Sequence, residues 1–182
     1  MDNKKIGFYS LYETAALDSY VGAILITNEN GIPLEFKCTH SVKPTAIQKS
    51  LYGNKLKPFI AINLCAIPLI FDISNKPEIL FIDIPEILSL RTDIEIPTIL
   101  LRRAGDFTNL QIQEEVSENI RLENPTGQFQ ALALQSHPNF SNEIKLNTDL
   151  INELFKNFDL AEPFDRMKIS IDILGNNDPK FK

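Results

Sequence analysis

The sequence predicts one α/β (α+β) domain, a single-domain sandwich in which helices cover a mixed β-sheet. Three observations predict it: an N-terminal β-hairpin, a central βαβ-like unit, and two amphipathic C-terminal helices. The domain is expected to span residues 1–175, and residues 176–182 (NNDPKFK) are expected to form a flexible C-terminal tail.

The hairpin is predicted from residues 20–39, where two β-rich apolar runs flank a short polar turn. The runs are YVGAILIT and IPLEFKCT, and the turn between them ends in Asn-Gly, which tolerates the positive φ that hairpin turns require. Because side chains alternate along a strand, Leu34, Phe36 and Cys38 share one face of the second run. Pro33 places this second strand at a sheet edge or a bulge.

Two helices are predicted after the hairpin. Pro44 suits the first turn of a helix that Gly53 ends. A second helix is expected from about Pro58 to Ile67, with Pro68 ending or kinking it because proline lacks the N–H that continues a helix.

The central unit is predicted from two apolar strands, residues 78–82 (EILFI) and 96–101 (IPTILL), on either side of a short helix that Asp83 is placed to cap. Continuously apolar strands are typical of parallel strands that are covered on both faces. Residues 129–134 (FQALAL) are predicted to form a further strand. Helical stripes follow over residues 146–158 and 164–174.

Composition excludes several classes of protein. With 43% hydrophobic residues and a net charge of −6, the chain is not expected to be disordered. Its two cysteines, Cys38 and Cys65, cannot form the disulfide framework of a small secreted domain. The N-terminus lacks a secretory apolar stretch, and the longest apolar run, residues 59–73, is interrupted by polar residues and proline. These features predict a cytoplasmic protein without a membrane anchor.

No motif in the sequence predicts a particular reaction. The patterns GxGxxG, GxxxxGK[ST] and GxSxG are absent, so no cofactor is expected and no catalytic residue is assigned. Cys38 and His40 lie two residues apart on one strand, but a metal site needs three or four ligands, so no metal is expected. The prediction leans against an enzyme, with an enzyme of unknown class using Cys38 and His40 as an alternative.

Lysine is concentrated in one part of this acidic chain. From residue 36 to residue 70 there are five lysines, one histidine and no acidic residue. Such a stretch can contact phosphate groups or an acidic protein surface, but lysines also occupy the solvated sides of ordinary strands and helices. The candidate binding residues of this basic segment, residues 37–57, are Lys37, His40, Lys43, Lys49, Lys55 and Lys57.

The segment GIPLEFKCTHSVKPTAIQKSLYG, followed after Asn54 and Lys55 by LKPF, resembles a family of bacterial proteins of unknown activity. The shared pattern is G-x-P-L-E-F, then K-P-[ST]-x-x-Q-x-x-L-Y-G, then L-x-P-F, and the later L-x-E-P-F is similar. The resemblance implies architecture and no mechanism. Within this family-pattern segment Glu35, Gln48 and Tyr52 are candidate site residues, and Glu35 and Gln48 are either ligand contacts or a local hydrogen-bonded brace.

The leading functional prediction is a non-catalytic accessory subunit that works by protein–protein interaction within a larger bacterial assembly. It rests on the lack of a residue constellation that could perform a reaction. Another protein is the expected partner, in a hetero- or homo-oligomer, and no membrane is expected. The alternative is a nucleic-acid-associated module that uses the basic segment.

Overall fold

The computed structural model describes residues 4–14, 19–105 and 119–181, and these residues form a mixed β-sheet with helices on both faces. The predicted fold class is confirmed. The strands are β1 (Ile6–Glu13), β2 (Tyr20–Thr27), β3 (Pro33–Cys38), β4 (Ile79–Ile82), β5 (Thr98–Arg103), β6 (Ile120–Leu122) and β7 (Leu132–Ser136).

The strands of this sheet follow the order β3-β2-β1-β4-β5-β7-β6. β1, β4 and β5 run parallel to one another, and the other neighbouring pairs are antiparallel. The predicted hairpin is β2 with β3, and the predicted βαβ-like unit is β4 with β5. Its crossover is a 3-10 helix, Pro85–Thr92. β7 begins three residues later than the strand predicted at residues 129–134.

Strand β1 is an interior strand of the sheet that is missing from the sequence prediction. It lies between β2 and β4, and the first six of its residues are buried. The run IGFYSLYE contains Gly, Ser and Tyr, so it lacks the continuous apolar pattern of a buried strand. Tyr9 is buried because its hydroxyl donates a hydrogen bond of 2.5 Å to the carbonyl oxygen of Ala61.

The first face of the sheet packs against the C-terminal helices. Phe8 of β1 is central to this layer, with its ring centroid 5.6 Å from that of Phe81 and 5.7 Å from that of Phe164. Leu146, predicted to belong to the apolar stripe, is exposed because one helix ends there and the next begins at Thr148. These helices are α4 (Glu143–Leu146), α5 (Thr148–Asn157) and α6 (Glu162–Asn177).

The second face is covered by a run of helical elements over residues 46–72. By length and composition alone this run could cross a membrane, which is weak evidence for a span because core helices of globular domains pass the same test; 39% of its most apolar window is buried in the fold. The elements are α1 (Ala46–Tyr52), a 3-10 turn (Gly53–Lys55), α2 (Leu56–Phe59), a π-helix (Ile60–Ala66) and α3 (Ile67–Asp72).

Pro68 was predicted to end or kink the second helix near Ile67; the helical run instead continues to Asp72, and it is distorted rather than ended before Pro68. The amide of Ile67 donates to the carbonyl of Ile62, five residues earlier, which is the hydrogen-bond pattern of a π-helix. Pro68 cannot donate to a carbonyl in the preceding turn, and its ring would clash with that turn in a regular α-helix. The wider π turn before Pro68 accommodates the ring, so the helical run is widened rather than ended.

Gly22 on β2 sets the distance between the sheet and the π-helix. A Cβ atom at this position would lie 2.4 Å from the Cβ of Cys65 and 3.1 Å from the hydroxyl oxygen of Tyr9. Carbon atoms do not approach this closely, so a side chain at residue 22 would push the π-helix away from β2. Cys65 is fully buried in this contact.

The C-terminal residues differ from their predicted arrangement. α6 continues past Gly175 to Asn177, and a 3-10 turn follows at Pro179–Phe181. The amide of Ser41 donates to the carbonyl of Lys180 at 2.7 Å. The predicted boundary at residue 175 therefore lies inside a helix, and the chain that follows contacts the segment after β3.

Replacing Gly22 with alanine is expected to destabilise the protein by about 1–3 kcal/mol, because the added methyl group overpacks the contact with Cys65. The free energy of unfolding in urea measures this cost. The double variant Gly22→Ala/Cys65→Gly lacks the Cβ atom of residue 65 that the new methyl group would meet. Its loss of stability should therefore be smaller than the sum of the losses of the two single variants. Strictly additive losses would show that the close approach does not limit packing.

Candidate functional site

A surface groove of about 130 Å³ lies between α1 and the helical elements that follow it. It combines a cation, an amide and two aromatic rings within one depression of the basic segment. The residues that line it include Val42, Lys43, Gln48, Tyr52, Phe59 and Leu64.

Local hydrogen bonds hold α1, which forms one wall of the groove. The hydroxyl of Thr45 accepts from the amide of Gln48 at 3.2 Å, and the side-chain oxygen of Gln48 accepts from the amide of Thr45 at 2.8 Å. This reciprocal pair is a capping box. Gly53 ends the helix with a φ of 50°, a conformation that favours glycine. α1 has no buried residue, so its surface is available to a ligand.

Two aromatic side chains meet in the groove. The ring centroids of Tyr52 and Phe59 are 5.1 Å apart, and their planes are inclined by 43°. Tyr52 is 41% exposed, whereas Phe59 is half-buried beneath it. Phe59 therefore supports the Tyr52 ring from the protein side and leaves part of that ring open to solvent.

The structure divides the predicted basic segment into two groups. Lys43 lines the groove, Lys49 lies in the last turn of α1, and Lys55 lies in the 3-10 turn, all three on exposed parts of the chain. The other candidates contact residues of other elements. The amine of Lys57 forms an ion pair of 3.1 Å with Glu13, and the ring of His40 packs edge-on against Phe181 at 5.4 Å.

Lys37 and Glu35 form a brace that ties β3 to the end of α3. The amine of Lys37 lies 2.6 Å from the carboxylate of Asp72, and this hydrogen bond raises the pKa of Lys37. Glu35 accepts hydrogen bonds from the amides of Ser74 and Asn75, which lower the pKa of Glu35. Gln48 acts instead in the capping box of α1, so Glu35 and Gln48 belong to two separate braces and share no pocket in the described structure.

Cys38 and His40 do not form an activated pair. Cys38 packs against the core, and burial raises the pKa of its thiol, so the thiol stays protonated at neutral pH and is a weak nucleophile. Burial likewise raises the pKa of the Cys65 thiol. Across residues 4–14, 19–105 and 119–181, no group of three His, Cys, Asp or Glu side chains is placed to hold a metal ion.

A second polar cluster lies where the parallel pairing of β1 with β4 ends, directly after the register pair Tyr9 and Ile82. The Ser10 hydroxyl donates to a carboxylate oxygen of Asp83 at 2.6 Å, and Arg102 donates to the Asp83 carbonyl at 3.2 Å. Asp83 therefore does not cap the following helix as predicted; Ile84 precedes that helix without a side-chain cap. Burial raises the pKa of Asp83, although the Ser10 hydrogen bond acts in the opposite direction.

Sequence reasoning missed this cluster, although two signals in the sequence could have indicated it. Ser10 is a polar residue inside a buried strand, and Asp83 directly follows another buried strand. Carboxyl ends of adjacent parallel strands lie at the same edge of a sheet. Tyr12 extends the cluster, because its hydroxyl donates to the carbonyl of Phe164 at 3.1 Å, and burial raises the pKa of Tyr12.

Comparison with solved structures shows which known proteins share this fold. Endonuclease V from Ciona intestinalis, solved in complex with a 23mer DNA containing an inosine followed by a ribo-adenosine, superposes with a TM-score of 0.50 at 11% identity over 93% of this chain and 86% of that chain. Human ENDOV gives a TM-score of 0.50 at 12% identity, over 92% and 86% of the two chains. At this identity the likeness shows the fold. No protein-family model and no curated protein matches the sequence.

The prediction of a protein-interaction accessory subunit is wrong on this comparison. The solved structures that share the fold are Endonuclease V in complex with DNA and human ENDOV, rather than protein-interaction subunits. The resemblance of residues 31–59 to a bacterial family and the cytoplasmic location both stay predictions.

Replacing Asp83 with asparagine is expected to stabilise the protein more at pH 7.5 than at pH 4. Folding raises the pKa of this carboxyl, so its ionisation disfavours the folded state as the pH rises from the unfolded value of about 3.9 through the folded value. Asparagine keeps the oxygen that accepts from Ser10 and removes the charge. The measurement is the free energy of unfolding of both proteins at each pH.

The matched control for this experiment is Asp172→Asn, which removes the same charge from an exposed position on α6. Its effect on stability should change less between the two pH values. If Asp83→Asn and Asp172→Asn show the same dependence on pH, then burial does not disfavour the Asp83 carboxylate.

Proposed function

We propose that this protein binds nucleic acid through the surface of α1 and the groove beside it. The observation that carries the proposal is the groove itself, in which Lys43 lies beside the partly exposed Tyr52 ring, with Lys49 and Lys55 on the adjoining turns. A cationic surface with an accessible aromatic ring is the combination that phosphate groups and bases require.

The arrangement of charges supports binding even though the chain is acidic. The net charge of −6 disfavours a general affinity for nucleic acid, so any binding must be local. Lys37 and Lys57 are committed to Asp72 and Glu13. Within the described part of the chain, Lys43 and Lys55 form no ion pair, so phosphate contact at these two positions breaks no internal bond.

The fold gives independent support to the nucleic-acid proposal. Endonuclease V from Ciona intestinalis, which shares this fold over 93% of the present chain, was solved with DNA bound. A fold is compatible with many functions, so the likeness supports nucleic acid as the partner and leaves the binding surface to be argued from this chain's own residues. Those residues favour α1, where the lysines and the exposed aromatic ring occur together.

The double variant Lys43→Glu/Lys55→Glu is expected to bind nucleic acid at least about tenfold more weakly, because it places two negative charges where phosphates are held. Fluorescence anisotropy with a labelled oligonucleotide of about 20 nucleotides, offered both as a single strand and as a duplex, measures the loss. The dependence of the affinity on salt concentration should also become weaker, since fewer counterions are released.

Lys145→Glu is the matched control, because Lys145 is exposed on α4, on the opposite face of the sheet. It carries the same charge change as either single substitution, Lys43→Glu or Lys55→Glu, each of which is measured beside it, and it should alter the affinity by less than about twofold at moderate salt. Equal losses from the control and the double variant would indicate general electrostatics and contradict the α1 site. An absence of binding to both oligonucleotide forms would contradict the proposed function itself.

A further inference from the structure

Resting on the proposed nucleic-acid site, we infer that its ligand is a single strand, with an unpaired base stacked on the open face of Tyr52. The inference names the class of nucleic acid that the groove selects, which the presence of lysines alone does not decide. It depends on the shape of the groove, on the exposure of the aromatic ring and on the apolar residues that surround the lysines.

The Tyr52 ring is placed where only an unpaired base can stack on it. The ring lines a depression of about 130 Å³ and rests against Phe59, so its accessible part lies within a concave surface. In a duplex the faces of the bases are covered by their neighbours, and a protein reaches base edges and phosphates instead. A base whose face is free can enter the groove and stack on Tyr52, as bases do on aromatic residues of proteins that bind single strands.

The composition of the α1 surface also favours a single strand. Ile47 and Leu51, one helical turn apart, are 72% and 78% exposed, and both lie between Lys43 and Lys55 in the sequence. The outer surface of a duplex presents charged phosphates, which gain nothing from apolar side chains. An unpaired strand presents the faces of its bases together with its phosphates, so the mixture of apolar and cationic residues matches both parts of it.

Gln48 adds a polar group to the same groove. Its side-chain oxygen is used by the capping box with Thr45, which fixes the position of the side chain. The amide nitrogen is then the part that can donate a hydrogen bond to a base edge or a sugar next to Tyr52. The capping box therefore orders both the wall of the groove and a donor within it.

The test compares a labelled single strand, an oligo(dT) of about 12 nucleotides, with a hairpin duplex of similar length. Wild-type protein is expected to bind the single strand at least about tenfold more tightly than the duplex. Tyr52→Leu, which keeps an apolar side chain and removes the aromatic face, should weaken single-strand binding by about 5- to 150-fold. Because α1 has no buried residue, this substitution leaves the core intact.

Tyr52→Phe is the conservative control, since it retains the aromatic face and should bind the single strand as tightly as wild type. The chain has no tryptophan, so tyrosine emission reports directly on the four tyrosines. Bound oligonucleotide should quench part of this emission in the wild type, and that part should be missing in Tyr52→Phe. If Tyr52 had only a structural role, Tyr52→Phe would retain both the affinity and the quench of tyrosine emission.

Two results would overturn the inference and leave the proposed function standing. One is equal or tighter binding of the duplex, with the Lys43→Glu/Lys55→Glu variant still defective. The other is unchanged single-strand affinity of Tyr52→Leu. Failure of the protein to bind any oligonucleotide, or binding of anionic lipid vesicles in place of oligonucleotides, would overturn both the inference and the proposed function.

Discussion

The contact between β2 and the π-helix is the constraint on which the rest of the structure depends. Gly22 allows Cys65 to approach the sheet, and Tyr9 secures the same turn by donating a hydrogen bond to Ala61. The π turn in turn accommodates Pro68, so that the helical run continues over the sheet instead of ending there. Because Phe59 directly precedes this anchored turn, the position of the aromatic groove follows from a contact made within the core.

The distribution of charge explains how an acidic chain can present a local cationic surface. Acidic partners are drawn from outside the basic segment: Asp72 bonds to Lys37, and Glu13 bonds to Lys57. These exposed ion pairs contribute little to stability, and their main effect is to fix β3 and α2 against their neighbours. Lys43 and Lys55 flank α1, and Lys43 lines the groove together with apolar and aromatic side chains.

Short-range patterns of apolar and polar residues predicted three parts of the fold: the hairpin, the parallel pair β4 and β5, and the C-terminal helices. They failed where a distant residue decides the outcome. β1 is buried although its sequence is mixed, because Tyr9 finds a partner 52 residues away. The composition of the sequence indicated the basic segment, but it could not show which of its lysines form ion pairs. Lys37 bonds to Asp72 only because α3 packs beside β3. The pairing of Tyr52 with Phe59 was missed because it requires the turn at Gly53.

The end of β1 shows why the two polar regions of this protein are separate. Successive side chains of a strand point to opposite faces, so Tyr12 reaches Phe164 in the layer of C-terminal helices, whereas Glu13 reaches Lys57 in the layer that contains the groove. Ser10 shares the face of Tyr12 and Phe8, which places the Asp83 cluster in the C-terminal layer. Protonation of Asp83 therefore acts on the packing between the sheet and α6, while ligand contact at α1 acts on the opposite face. The alternation of side chains along β1 thus places the Asp83 cluster and the groove on opposite faces of the sheet.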